Sequence, residues 1–262
     1  AAGLAWSTRG MVLAGTEPEQ AIACFDEVIQ CGLACGDVEL RLQGHLHLGQ
    51  LHRQRRNMVA ARDHLRQALE IGQARGWTTS TVGVLTNLGT VNTRKGKYEA
   101  AAQHHQEALD IYEELFADGT GQLPDHPRVA VVLNNLGIAK LEGGHTKEAA
   151  EHHRRALEMR KRIFGEEHPD VASSMNNLGN AVRRLGDYEQ ALSLQEQALL
   201  IREKTLGPNH RRVASSVGSL AIAYAQSGDI EKATELFRDA CKRFEVGLGP
   251  DDPMLADSLN NL

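Results

Sequence analysis

The sequence predicts an all-α solenoid of stacked helix pairs, and three observations carry that reading. Hydrophobic residues make up 41% of the 262 residues and aromatics only 4%, while Ala, Leu, Gln, Glu and Arg are abundant; helix formers therefore outnumber the β-branched and aromatic residues that strands favour. The block Asn134-Asn135-Leu136-Gly137 recurs as Asn176-Asn177-Leu178-Gly179, then as Gly218-Ser219-Leu220-Ala221, then as Asn260-Asn261-Leu262, in steps of 42 residues. Within each step, two stretches with apolar residues at helical spacing are separated by a glycine.

The register is carried by several columns at once. Gly144, Gly186 and Gly228 share it, as do Ala149, Ala191 and Ala233, then Ala156, Ala198 and Ala240, and finally Gly165, Gly207 and Gly249. Upstream it loosens. Leu88 precedes Leu136 by 48 residues and Leu48 precedes Leu88 by 40, with Gly3-Leu4-Ala5 read as the corresponding block of the first repeat. The units are thus 1–33, 36–76, 77–117, 126–165, 168–207 and 210–249, with a partial seventh helix over 252–262, all in one domain.

Local signals place the ends of each helix. Gly96, Gly144, Gly186 and Gly228 stand where a left-handed residue ends the first helix of a pair, with Asn57 as the substitute in the second repeat. Pro127, Pro169 and Pro253 follow His126, His168 and Asp252 as first-turn prolines after capping residues. Thr16-Glu17-Pro18-Glu19 has capping-box spacing for the second helix of repeat one. Small residues recur where paired helices must approach: Gly137 with Ala149 and Ala156, Gly179 with Ala191 and Ala198. One pair cannot bury its apolar face alone, so stacking neighbours creates the core.

Several function classes are disfavoured. The net charge of −5 argues against nucleic acid or an anionic membrane attracted by bulk charge. No apolar run reaches the roughly 20 residues needed to cross a bilayer. The four cysteines, Cys24, Cys31, Cys35 and Cys241, form no CxxC pair, which fits free thiols in a reducing, cytoplasmic compartment. His45, His47 and His52, and the pairs His104-His105 and His152-His153, lack the i, i+4 and carboxylate or cysteine companions of a metal site, so no metal or other cofactor is expected; His126, His168 and His210 read as caps. With no P-loop, dinucleotide fingerprint or nucleophile elbow, catalysis is not expected. The chain lacks an initiator Met and ends inside a repeat, which leads us to expect a longer polypeptide.

A Leu-Gly/Ala in the first helix, an Ala twelve positions after the Gly/Ala and a second Ala seven later resemble the tetratricopeptide repeat (TPR) over essentially the whole chain. From about residue 125 to 262, segments such as His168-Pro169-Asp170-Val171-Ala172 and Ala198-Leu199-Leu200-Ile201-Arg202 are similar to the TPR domain of kinesin light chains. Repeats one to three are closer to TPRs of the Pins/LGN kind or of bacterial regulators. The resemblance implies a right-handed superhelix whose first helices line a groove for an extended peptide, in a non-enzymatic interaction scaffold capturing cargo or adaptor peptides. An alternative is the sensor arm of a larger signalling protein, such as a nucleotide-switch ATPase, a transcription regulator or a caspase-like protease, with its effector domain in the same polypeptide. Another is weak self-assembly through the C-terminal end.

At about 100° per residue, positions −5, −2, −1, +2, +5 and +6 from the core-facing Leu lie on the face opposite the core. They hold Arg53 in repeat two, Asn87 and Arg94 in repeat three, Asn134 and Asn135 in repeat four, and Asn176, Asn177, Asn180, Arg183 and Arg184 in repeat five. Asn87, Asn135, Asn177 and Asn261 share one position and form a ladder of amides, suited either to a peptide backbone or to an inter-helix hydrogen bond. The arginines make the face basic within an acidic molecule, and guanidinium forks fit carboxylates or phosphates, so an acidic or phosphorylated peptide is the expected partner. Val131, Ile138 and Leu141 are expected to receive an apolar anchor. The segment from Leu115 to Arg128 reads as a longer loop, either a spacer or a mild hinge and partner contact.

Overall fold

In this computed structural model residues 2–75, 79–116, 123 and 125–248 are described. They form helices and connecting turns, with no strand among them. Two compact units, Ala1–Pro124 and Asp125–Leu262, divide the chain. The division falls within the segment read as a longer loop, half of which lies outside the described residues, as do the seventh helix, Asn261 and Pro253.

The first unit contains three antiparallel pairs: α1 (Ala2–Leu13) with α2 (Pro18–Cys35), α3 (Val38–Gln54) with α4 (Met58–Arg75), and α5 (Thr79–Arg94) with α6 (Tyr98–Leu115). The second repeats the plan with α7 (Pro127–Glu142) and α8 (Thr146–Phe164), α9 (Pro169–Arg184) and α10 (Tyr188–Leu206), and α11 (Arg211–Ser227) and α12 (Ile230–Leu248). Each second helix also packs on the first helix of the next pair within its unit, as α4 does on α5 and α8 on α9. That stacking closes the core. Leu42, Leu65 and Leu88 join one cluster across α3, α4 and α5, and Leu141, Leu157, Met175 and Leu178 join another across α7, α8 and α9. Each such side chain stabilises by roughly 1.5–3 kcal/mol when fully buried.

The helix ends follow the chemistry read from the sequence. The Nδ1 atoms of His126, His168 and His210 accept from the backbone N–H groups of Arg128, Asp170 and Arg212 at 3.0–3.1 Å, and Pro127 and Pro169 occupy the first turn. Gly96, Gly144, Gly186 and Gly228 have φ between 70 and 99°, the left-handed region that reverses the chain between paired helices.

Four expectations need correction. In repeat two the left-handed residue is Arg56, with φ 60°; Asn57 stands one position later and caps α4, its Oδ1 accepting from Ala60 N–H. Arg56 lies eight residues after Leu48, as Gly186 does after Leu178. Thr16 forms no capping box, because α2 begins at Pro18 with Glu17 as its cap residue and no side-chain cap bond. Leu4 is 67% exposed and does not face the core; Gly3 and Gly10 are the buried residues of α1, and a Cβ at Gly10 would lie 2.6 Å from the Phe25 ring. Leu141, expected on the receiving face, is buried at 7% exposure with Ala150 and Val182.

A socket and knob recur along the chain. A Cβ on Gly89 would come within 2.5 Å of the His105 ring, one on Gly137 within 2.7 Å of His153, and one on Gly49 within 2.6 Å of Leu65. The knob sits sixteen residues after its glycine, and Gln195 fills the same place opposite Gly179 at 2.9 Å. His105 and His153 are fully buried, with neither ring nitrogen hydrogen-bonded. Burial lowers both to a pKa of about 4, assisted by the neighbouring His104 and His152, so the rings are neutral near pH 7.

Candidate functional site

The first helices α3, α5, α7, α9 and α11 each present a largely half-buried stripe. On α5 it comprises Gly83, Thr86, Asn87, Thr90 and Thr93, ending at the exposed Arg94, and on α9 Ser173, Asn176, Asn177, Asn180 and Arg183, ending at the exposed Arg184. The helical geometry explains the pattern, since the opposite sides, including Val84, Leu88, Met175 and Leu178, are in the core. Threonine and serine hydroxyls on these stripes donate to their own helices: Thr86 to Val82 O, Thr90 to Thr86 O, Thr93 to Gly89 O and Ser173 to Pro169 O. The threonine oxygens remain available as acceptors, whereas Ser173 Oγ already accepts from Arg202.

In the second unit the polar stripe is largely knitted across repeats. Asn177 Nδ2 donates to Asn134 Oδ1 at 2.8 Å, and Asn134 is buried beneath that bond. Arg184 donates to Leu141 O at 3.1 Å and to Glu142 Oε1 at 2.9 Å. Arg183 Nη1 donates to Gln226 Oε1 at 2.5 Å. Burial and the adjacent Arg184 lower the pKa of Arg183 from its ordinary value. Asn180 Oδ1 accepts from Gln195 at 3.0 Å, and Asn176 Oδ1 is buried without a partner. Asn135 is half-buried in the middle of the α7 stripe, flanked by the exposed Val131 and the half-buried Ile138. Beside Arg183 an open cleft is lined by Thr146, Leu185, Tyr188, Ile222 and Gln226.

The first unit is arranged differently. Asn87 Nδ2 donates to Gly83 O of its own helix. Arg53 on α3 is half-buried with its Nε shielded from water and unbonded; burial, and then the charge of Arg94 on α5, lower its pKa. Nearby, His45 Nδ1 lies 3.2 Å from His64 Nδ1, and His52 stacks on His64. Burial, then the adjacent His64 and Arg41, lower His45 to a pKa of about 4.

The sequence reading missed one recurring feature. Arg160 on α8 is buried and donates to Asp170 O at 3.1 Å and to Ser174 Oγ at 2.8 Å. Arg202 on α10, 42 residues later, donates to Ser216 Oγ and Ser173 Oγ. Each arginine clasps its second helix to the following first helix. The signal was present as two Arg–Ser pairs, each fourteen residues apart and repeated in register.

Stacked helix pairs, each offering a polar stripe from its first helix, define an all-α repeat protein of the kind that serves as a protein-interaction scaffold. The chain belongs to the tetratricopeptide repeat family: the family profile matches residues 40–114, 80–162, 148–199 and 170–245. No curated protein matches its sequence. Among solved structures it is similar to BtubC (BKLC) from P. vanneervenii, with 25% identity and a TM-score of 0.73 over 90% of this chain and 94% of that one. A putative kinesin light chain from Podosopora anserina with nearly identical TPR-like repeats has 22% identity and a TM-score of 0.65, over 80% of this chain and 98% of that one. The signal-transduction ATPase PH0952 from Pyrococcus horikoshii, with a tetratricopeptide repeat sensor, has 17% identity and a TM-score of 0.75, over 98% of this chain and 37% of that one. Repeats of this family are generally non-enzymatic interaction modules. Among the described residues no helix is long and apolar enough to cross a membrane.

Proposed function

We propose that the chain captures an extended, acidic or phosphorylated peptide on the first-helix stripes, in a cytoplasmic cargo- or adaptor-binding role like that of kinesin light chains. The observation that carries this reading is the recurrence of half-buried amides and guanidiniums at the same positions of successive first helices. Half-burial matters, because a shielded polar group gains more from a ligand hydrogen bond than a fully hydrated one. Asn87, Asn135 and Asn177 supply amide rungs, Asn134, Asn176 and Asn180 flank them, and Arg53, Arg94, Arg183 and Arg184 supply cations. The bonds between Asn177 and Asn134 and between Arg184 and Glu142 mean that a ligand must exchange with an internal partner there.

The similarity to a sensor-bearing ATPase over nearly the whole chain supports a second reading, in which the repeats are the sensor arm of a larger polypeptide and the peptide is its trigger. Both readings place the ligand on the same stripes.

Asn87→Ala with Asn135→Ala tests the assignment without breaking the Asn134–Asn177 bond. Against a library of extended peptides bearing Asp, Glu or phosphoserine, the double variant should bind selected sequences about fivefold more weakly for each hydrogen bond lost, with its melting temperature nearly unchanged. Unaltered binding of every selected peptide would reject the stripes as the site.

A further inference from the structure

We infer that Arg53 and Arg94 form a built oxyanion site, fitted to the phosphate of a phosphoserine or phosphothreonine in an extended peptide; this rests on the groove reading above and names its ligand chemistry. The argument comes from the repeat itself. Arg53 stands five residues after Leu48 and Arg94 six after Leu88, while Arg183 stands five after Leu178 and Gln226 six after Leu220. The two pairs are therefore equivalent positions on successive first helices, and α3 packs against α5 as α9 does against α11.

In the second unit the cation has an acceptor on the next first helix, because Gln226 Oε1 accepts from Arg183 Nη1. In the first unit the acceptor is replaced by a second cation. Neither guanidinium has a hydrogen bond or ion pair among the described residues; Arg53 Nε is out of contact with water, as is that of Arg183, but Arg53 lacks the Nη acceptor that Arg183 has. A buried donor without an acceptor is costly, and two neighbouring cations without an anion add repulsion. Both defects are removed by one group that accepts from two guanidiniums at once. The hydroxyls alongside do not compete for this role, because Thr90 and Thr93 already donate to backbone carbonyls.

Charge selects among oxyanions. A carboxylate leaves the pair with a net positive charge, whereas a phosphate monoester carries about −1.5 to −2 near pH 7 and has three acceptor oxygens. Guanidinium forks match that geometry bidentately.

The test is calorimetric titration with inorganic phosphate and, separately, with acetate at the same pH and ionic strength. Wild-type protein should bind one phosphate saturably and acetate at least about tenfold more weakly. Arg94→Gln, which recreates the Arg183–Gln226 arrangement, should weaken phosphate binding at least about tenfold while melting no lower than wild type. Gln226→Arg should create a second phosphate site in the other unit. Absence of saturable phosphate binding, equal binding of acetate, or full retention in Arg94→Gln would each overturn the assignment. The peptide readout of the Asn87/Asn135 variant is independent of these arginines, so failure here is distinguishable from failure of the groove reading.

Discussion

Equivalent stripe positions are treated in opposite ways by the two units. In the second, Arg183 is met by Gln226, Arg184 by Glu142 and Asn177 by Asn134; in the first, Arg53 feels the charge of Arg94 with no acceptor for either among the described residues, and Asn87 donates to its own helix. The same backbone therefore carries one face whose polar groups are largely bonded across repeats, Asn176 Oδ1 and Arg183 Nε excepted, and one on which two arginines have no internal acceptor among the described residues. In a repeat protein the fold constrains the core columns, which must be filled in every repeat, while the stripe positions vary without penalty to stacking.

The largest expected effect concerns a feature the two units share. His105 and His153 are held neutral by burial, with folded pKa values of about 4 against an ordinary 6.5. For a histidine lowered in this way the unfolded chain takes up the proton first. Stability is therefore complete above about pH 6.5 and is lost as pH falls toward 4, by about 3 kcal/mol for each ring. Thermal melts between pH 7.5 and 4 should show this decline. His105→Leu with His153→Gln, borrowing the knobs of Leu65 and Gln195, should flatten it; an unchanged slope would mean that other groups drive the acid transition.

Next in size is the socket itself. Gly137→Ala places a Cβ against the enclosed His153 ring and should cost about 1–3 kcal/mol by overpacking, and Gly89→Ala should cost a similar amount against His105. Denaturant melts that found one substitution harmless and the other severe would break the equivalence of the two sockets.

The smallest effect sharpens the contrast. Glu142→Ala removes an exposed ion pair and should change stability by less than about 1 kcal/mol. It leaves Arg184 without its carboxylate, so the second unit should gain affinity for acidic peptides. No gain would show that this ion pair does not hold the second stripe closed.

Much of the fold was legible because periodicity reports stacking. The alanine and glycine columns marked the close helix contacts, and His126, His168 and His210 were readable as caps because each precedes a helix start in register. Reading failed where one repeat departs from the pattern. Arg56 hid a left-handed position because no glycine marks it, and Leu4 imitated a core leucine although Gly3 and Gly10 carry the packing of α1. The stripes were legible as positions, since helical geometry determines them. Their pairing was not: that Asn177 reaches Asn134, or that Arg184 reaches Glu142, depends on the offset between successive helices, which no single helix encodes. Leu141 shows the same limit, because its angular position points outward while it is buried in one cluster with Ala150 of α8 and Val182 of α9.

The most direct test of the contrast between the units follows the arginine Nε–Hε resonances during a phosphate titration. The signals of Arg53 and Arg94 should shift together and saturate, while those of Arg183 and Arg184, whose Nη groups are already engaged by Gln226 and Glu142, should stay in place. Equal movement of all four, or movement confined to Arg183 and Arg184, would contradict the account.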